Sequence, residues 1–469
     1  MIEVPVLTLS HWVYLIGIIS VIVLMICKRE VVYACIIGTF AIGMIHGGGN
    51  LIRGTQTVFR AMTTAGSDLF DIMLVIALMV AMLRSLSTMS ADKMMIAPAA
   101  RMIKKPAMAF WIVAGVMYLA ASFFWPTPST ALVGTLLIPI AMQAGLKPMA
   151  ACMAMNIAGH GMALSGDLIL QGGPRITAES ANIPVENLLP YGAIFATITG
   201  LVALIIAFIM NRKDMVPDPA GAVTTASEIG KDAPPFAKYF AVGIPILYLI
   251  IVARIVLGSI ASTGLSRIIG GGATALLGGS AAMILPISTI ATAKGKALEK
   301  IIDYLREGFL YSIKIFTPVI PIAGFFLLGS PGSAADILGQ GARGLLFDLG
   351  NELAAVLPLN AIPLSIGTVI IGGITGLDGS GFSGLPLVGS LSAALATPVG
   401  LNVAVIAGLG QVAAVFVGGG TLSAWAFGAV ASAGVAGVSA GDLVRKNFIP
   451  VISGLGVSTI IAIVILMAS

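Results

Sequence analysis

Apolar runs of about 17–25 residues recur along the chain, at 11–27, 31–47, 68–86, 107–124, 148–164, 189–211, 237–258, 266–291, 309–329, 355–375, 401–418 and 448–468. Each has the length an α-helix needs to cross the hydrocarbon core of a bilayer. A transmembrane barrel would show short segments of alternating polarity instead. Only 10% of the residues are charged and 58% are hydrophobic, whereas a soluble domain carries about 25% charge. Most of the surface must therefore face lipid. The expected fold class is an all-α polytopic membrane protein with about 11–13 spans, in a bacterial cytoplasmic (inner) membrane.

Two further apolar pieces, 128–144 and 382–396, are short and are entered through Pro or Gly clusters. Such a piece reads as one arm of a re-entrant hairpin rather than as a full span. The stretch 420–437 is Gly- and Ala-rich, and its pattern leaves spanning undecided. The N-terminal "MIEVPVLTLSHW" has no basic n-region, so the first run is expected to stay as a span. Lysine and arginine concentrate in Arg84–Lys105, which places that loop in the cytoplasm and the N-terminus outside. The net charge of +5 fits this topology bias and gives no reason to expect a nucleic acid partner. Cys27, Cys35 and Cys152 lie in apolar runs and read as free buried thiols, without disulfide or metal spacing.

The long polar stretch "NRKDMVPDPAGAVTTASEIGKDAPPFAK", Asn211–Lys238, divides the chain into an N-terminal half (1–210), a linker (211–238) and a C-terminal half (239–469). The halves share a phrase. At an offset of 255, Ala131–Leu146 overlays Pro386–Leu401 with seven identities in sixteen, among them Gly134/Gly389, Ala141/Ala396, Gly145/Gly400 and Leu146/Leu401. A helix-breaking cluster precedes each copy, "FFWPTPST" (Phe123–Thr130) and "GLDGSGFSG" (Gly376–Gly384). A run ending in small and hydroxyl residues follows each, "NIAGHGMALSGD" (Asn156–Asp167) and "GQVAAVFVGGGTLS" (Gly410–Ser423), and the offset lays Asn156 over Gln411. Broken helices at corresponding positions of two halves point to a transporter binding site. A break frees N–H groups that hold an anion and carbonyls that hold a cation, at a depth where such backbone must line a cavity or be buried.

Two halves, each with a Pro/Gly/Ser-Thr hairpin followed by a broken span carrying an amide, resemble the ion transporter superfamily. That group includes the gluconate, citrate and C4-dicarboxylate permeases and the sodium/dicarboxylate symporters. "PTPST" and "DGSGFSG" stand where the sodium/dicarboxylate branch has Ser-Asn-Thr, and "GLDGSG" is nearer the citrate and gluconate branches. The resemblance implies two inverted repeats, each with a re-entrant hairpin and a broken transmembrane helix. It also implies a small organic anion between the hairpin tips, coupling to protons or sodium, no other cofactor, and a homodimer.

The candidate substrate-binding set is Ser129, Thr130, Asn156, His160, Ser165, Ser380, Gly381, Ser383, Gln411 and Thr421, mostly hydroxyls and amides that bind carboxylate or sodium without a fixed charge. Each hydroxyl or amide taken singly also suits helix–helix hydrogen bonding. Asp378 and Asp167 are the cation-coupling candidates, each with helix capping as the competing role. His160 is either a proton relay or substrate donor, or a buried hydrogen-bonded side chain. Arg175 is expected at the surface rather than on an anion. Asp68 and Asp71 are expected in the N-terminal turn of a span. Lys314 either snorkels or pairs with a carboxylate. Lys294–Phe309 reads as an interfacial amphipathic helix or as an extension of the next span.

No Walker or His-Glu-x-x-His motif occurs, and Ser165 and His160 are poorly spaced for a catalytic dyad, so an enzyme is not expected. The expected activity is cation-coupled secondary transport of a small carboxylate or sugar acid. The alternative is a sodium/proton antiporter of the same superfamily, which would need more buried carboxylates than this chain has.

Overall fold

Local signals place the helix ends. Proline occupies the first turn of Pro106–Phe124, Pro126–Gln143 and Pro148–Asn156, where its missing N–H costs nothing. Asn50, Asn360 and Asn402 cap the helices Leu51–Thr88, Ala361–Thr375 and Val403–Phe416 by accepting from the N–H of Ile52 (2.9 Å), Ile362 (3.0 Å) and Ala404 (3.0 Å). The structure, a computed structural model, describes residues 7–27, 29–215, 233–260, 272–356, 359–379 and 381–468. Among them there is no strand.

The offset of 255 now acquires a structural meaning. Helices begin at Pro106 and Ala361, at Pro148 and Val403, at Gly172 and Phe427, and at Val185 and Ala440, every pair 255 residues apart. The shared phrase encodes one helix end twice. Gly145 (φ 94°) and Gly400 (φ 69°) both take the left-handed conformation. Beyond them Leu146 N–H bonds the Ala141 carbonyl at 2.9 Å, and Leu401 N–H bonds the Ala396 carbonyl at 3.0 Å. This six-residue closure requires glycine at its turning point, which is why Ala, Gly and Leu recur at these positions.

The fold is therefore the expected one, an all-α polytopic membrane protein of two inverted repeats. In the first repeat Pro106–Phe124 turns back at Trp125 into Pro126–Gln143. The chain then runs through Pro148–Asn156, a π-helical segment Ile157–Ala163 and a break at Asp167 to Gly172–Ser180 and the long span Val185–Asn211. The second repeat follows the same order: Ala361–Thr375, a glycine-rich tip, Leu385–Ala396, Val403–Phe416, a π-helical segment Val417–Thr421, Phe427–Ala436 and Ala440–Ala468. The undecided stretch 420–437 is thus the π turn and a short helix after the break. Both broken helices carry a π segment, a feature frequent at functional sites.

The repeats interlock by exchange. Phe427–Ala436 packs on Pro126–Gln143, and Gly172–Ser180 packs on Leu385–Ala396. A Cβ on Gly134 would collide with the side chain of Val435, and one on Gly389 would lie 3.0 Å from Cβ of Ser180. These contacts are equivalent under the offset. Small residues at helix contacts are what association in lipid requires, since apolar burial supplies no driving force there. The segment Val403–Thr421 is almost wholly enclosed by protein, 94% buried over its apolar window against 39% for Ala440–Ala468. Irregular backbone at membrane depth needs that enclosure.

Five described helices are long and apolar enough to cross a bilayer, and two bent pairs also qualify, at 44° and 102°. One bent pair corrects the sequence reading. Asp68 and Asp71 do not open a helix. They lie inside Leu51–Thr88, beside its bend between Asp71 and Met73, because Asn50 supplies a cap far upstream that apolarity does not reveal. The segment after Lys294 forms Ala297–Phe316, which lies along Leu51–Thr88 with Gly308 against the Ala77 carbonyl. It ends at Phe316 and is separated from Val319–Leu327 by a turn at Thr317 and Pro318, so it is a helix of its own rather than a continuation of the next one. Cys27 is exposed, whereas Cys35 and Cys152 are buried, and all three are free. The linker residues 216–232 lie outside the described residues.

Candidate functional site

The two hairpin tips meet. Trp125 turns the first hairpin with φ 72° and ψ 145°, a conformation that costs a non-glycine residue about 1–3 kcal/mol. Gly379 (φ 82°) and Gly381 (φ 75°) turn the second. Trp125 stacks on Phe382 with centroids 5.5 Å apart and planes at 25°. Beside this stack is a cavity of about 270 Å³ lined by Trp125, Thr127, Tyr311, Lys314, Pro318, Phe382 and Phe427. Thr127 and Tyr311 bring hydroxyl groups to the lining. Lys314 is the one charged residue among the described lining residues, on the last turn of Ala297–Phe316. The cavity thus offers aromatic walls, two hydroxyls and one cation, a set suited to a small anion with an apolar body.

The residues singled out in the sequence gather around the two breaks, immediately behind this wall. His160 is buried in the first π segment, edge-on to Phe427 at 5.7 Å and 73°. Its ring also lies against Gly428, where a Cβ would be 2.5 Å from Cδ2. Neither ring nitrogen has a partner among the described residues. One aromatic ring therefore separates His160 from the cavity. Asn156 Nδ2 donates to Ser432 Oγ (3.3 Å) and to the Gly428 carbonyl (3.4 Å), and Asn156 Oδ1 accepts from Asn447 Nδ2 (2.9 Å). Asn447 also donates to the Thr421 carbonyl at 3.3 Å. Gln411 Nε2 donates to the Ser165 carbonyl at 2.8 Å, directly tying one broken helix to the other.

Thr130 and Thr421 donate to carbonyls of their own helices, Pro126 at 2.9 Å and Phe416 at 2.5 Å. Ser165 donates to the Met162 carbonyl at 3.4 Å. Ser129 and Ser383 are buried, and Ser129 Oγ has no partner among the described residues. Gly381 lets the second tip touch the second break: a Cβ on Gly381 would lie 2.9 Å from the Gly419 nitrogen. Ser380 and the side chain of Asp378 lie outside the described residues. Asp378 itself closes the 3-10 turn Gly376–Asp378.

Asp167 is 5% exposed, and its Oδ2 accepts from the Gly172 N–H at 2.5 Å. It stands at the N-terminus of Gly172–Ser180, where the helix dipole favours a carboxylate; this is the capping role. Arg175, expected at the surface, is largely covered instead. It pairs with Glu179 at 2.5 Å and reaches Asp71 at 3.8 Å, joining the helix after the break to the bend of Leu51–Thr88.

None of the described residues proposed for binding lines the cavity itself. The cavity walls are aromatic, and Trp125 and Phe382 sit inside the two breaker clusters, where an apolar ring carries no sequence signal for binding. Tyr311 had no local signal, and Lys314 was seen without a partner.

No family model matches the chain. Along almost its entire length, however, it is 35% identical to the membrane protein YhfA of Bacillus subtilis (strain 168), described as uncharacterized; the alignment covers 476 residues, 99% of this chain and 100% of YhfA. The chain belongs to the YhfA family. Two solved structures share the fold of this YhfA-family protein. Neisseria gonorrhoeae MtrF, described as illuminating a class of antimetabolite efflux pumps, matches with a TM-score of 0.62 at 11% identity over 99% of this chain and 96% of MtrF. The Alcanivorax borkumensis YdaH transporter, described as having an unusual topology, matches with a TM-score of 0.59 at 14% identity over 88% of both chains. The YhfA-family chain is thus a multi-pass membrane protein with a fold found in transporters.

Proposed function

We propose that this YhfA-family protein is a secondary active transporter for a small organic anion, such as a carboxylate or sugar acid. The observation that carries this reading is the cavity beside the stacked hairpin tips, with Lys314 as the charged group among its described lining residues and Trp125, Phe382 and Phe427 as its apolar walls. The anion pairs with Lys314, and its apolar body packs on the rings. The charged group among the described lining residues is a cation, Lys314, which supports an anion as the substrate. The fold shared with MtrF and YdaH supports transport as the activity.

Closure proceeds at the breaks. Phe427 opens the helix after the second break, and the first break carries His160 behind it. Movement of the post-break helix therefore reshapes the cavity wall and the cover over His160 together. A proton or sodium ion favours the loaded, closed state, with Asp378 the carboxylate assigned to that coupling and Asp167 the second candidate. Such architecture within the ion transporter superfamily accompanies a homodimer, and the same assembly is proposed here.

The test is uptake into proteoliposomes across a panel of organic acids, with sodium and pH gradients imposed separately. Accumulation of an anion under one gradient, weakened by Lys314→Met, is expected. Gradient-driven sodium–proton exchange with no anion accumulation would replace this reading by the antiporter. If Asp378→Asn leaves the ion dependence of uptake intact, the coupling role of Asp378 is lost.

A further inference from the structure

A second polar cavity lies far from the hairpin tips in sequence, where Val32–His46 meets the start of Leu51–Thr88. It has a volume of about 180 Å³, and its polar lining is Arg53, Arg60, His46, Gln56 and Thr57. Among the described residues no carboxylate lines it. An adjoining cavity of about 310 Å³ shares His46 and Leu338 with it and adds Arg343. His11 also borders the adjoining space and is occupied by Asp348, at 3.1 Å. Among the described residues no ion pair engages Arg53, Arg60 or Arg343.

The start of the helix and the stem of Arg53 are set by local structure. Asn50 accepts from the N–H groups of Ile52 (2.9 Å) and Arg53 (3.4 Å), fixing where the helix begins. Gly47 leaves room for the Arg53 stem, since a Cβ there would lie 2.8 Å from Arg53 Cβ. Arg53 and Arg60 are seven residues apart, two turns along one face, roughly 10 Å. One position back, and so about 100° around the helix, Ile52 and Phe59 form a parallel stripe. They are 68% and 74% exposed, as side chains facing lipid are. A cationic stripe inside a polar cavity thus runs beside an apolar stripe on the outer surface.

The geometry points to a binding site for a phosphate-bearing headgroup, the lipid's phosphate held by Arg53, Arg60 and Arg343 and its acyl chains lying along Ile52 and Phe59. Arginine forks match phosphate oxygens in pairs, and basic pockets beside transmembrane helices take anionic headgroups. The phosphate could also come free from solution, but the adjacent apolar stripe favours the lipid. This site does not depend on the transport reading, because it shares no residue with the hairpin cavity.

The full-length protein in detergent, titrated with dioleoylphosphatidylglycerol and followed by native mass spectrometry, tests the assignment. The comparison set is the double variant Arg53→Gln/Arg60→Gln, the single variant Arg343→Gln and the remote control Arg445→Gln, with a dioleoyl glycolipid lacking phosphate as the control lipid. The wild type should hold the phospholipid at least tenfold more tightly than the double variant. Arg445→Gln should match the wild type, and the glycolipid should not distinguish the proteins. Should the double variant fail to fold, Arg343→Gln, approaching from a different segment, must still weaken phospholipid binding. Equal phospholipid affinity in wild type and folded variants would overturn the lipid site. If inorganic phosphate then raises the melting temperature of the wild type alone, free phosphate is the occupant and the lipid assignment fails.

Discussion

Gly161 and Phe416 stand at equivalent positions of the two repeats, 255 residues apart, and they touch: a Cβ on Gly161 would lie 2.6 Å from Phe416 Cε1. A residue that meets its own counterpart marks where the approximate two-fold axis passes. That axis runs between the two π segments, which pack on one another, so the breaks and the hairpin tips converge on one place. The glycine on one side is what admits the phenyl ring on the other.

Gly161→Ala should therefore destabilise the protein by about 1–3 kcal/mol through overpacking. Phe416→Leu, by trimming the opposing ring, should recover part of that loss in the double variant. Thermal unfolding of the two singles and the double checks this. Additive losses would show that the ring does not constrain position 161.

The two exchange glycines should differ. A Cβ on Gly389 meets the main-chain carbonyl of Thr177, whereas one on Gly134 meets side chains alone, those of Val435 and Met155. A side chain can change rotamer and a helix backbone cannot easily withdraw. Gly389→Ala is expected to lower the melting temperature more than Gly134→Ala, and the reverse order would contradict the packing described.

Asn156 and Asn447 form a buried link between the first broken helix and the last span, at 2.9 Å. A double-mutant cycle with Asn156→Ala and Asn447→Ala should give a coupling energy on the order of 1 kcal/mol, within the range for contacting residues and for hydrogen bonds in membranes. A coupling indistinguishable from zero would mean the pair contributes no net stability.

Asp167 offers a separation of roles. Asp167→Asn keeps an oxygen to accept from Gly172 and should retain most of the cap, while Asp167→Ala should cost about 1 kcal/mol. If capping is its whole contribution, Asp167→Asn leaves the ion dependence of uptake unchanged. A shift in that dependence at unchanged stability would assign Asp167 to coupling.

Lys314→Met should reduce anion uptake at least tenfold, the size of about 1.4 kcal/mol lost from binding, with little change in melting temperature because Lys314 is exposed to the cavity. Lys314→Arg should retain more uptake than Lys314→Met. Equal uptake by all three proteins would remove Lys314 from the binding site.

Much of this architecture is written locally. Apolar length shows that the chain lives in a bilayer. The matched Ala141/Ala396, Gly145/Gly400 and Leu146/Leu401 record the same helix end twice, because a left-handed turn admits glycine and few other residues. The breaker clusters before each copy locate both hairpin tips, and the amides Asn156 and Gln411 fall where the broken helices run. What the sequence could not decide is which faces meet. Arg175 looks like a surface residue until Gly172–Ser180 docks beside the bend of Leu51–Thr88 and brings Asp71 within reach. Trp125 and Phe382 are ordinary apolar residues until the two tips stack, and only the approach of Ala297–Phe316 brings Tyr311 and Lys314 to complete the cavity. Helix ends depend on a few neighbouring residues and their backbone angles. The cavity depends on contacts between segments up to about three hundred residues apart, from Trp125 to Phe427, and those exist only once the repeats have interlocked.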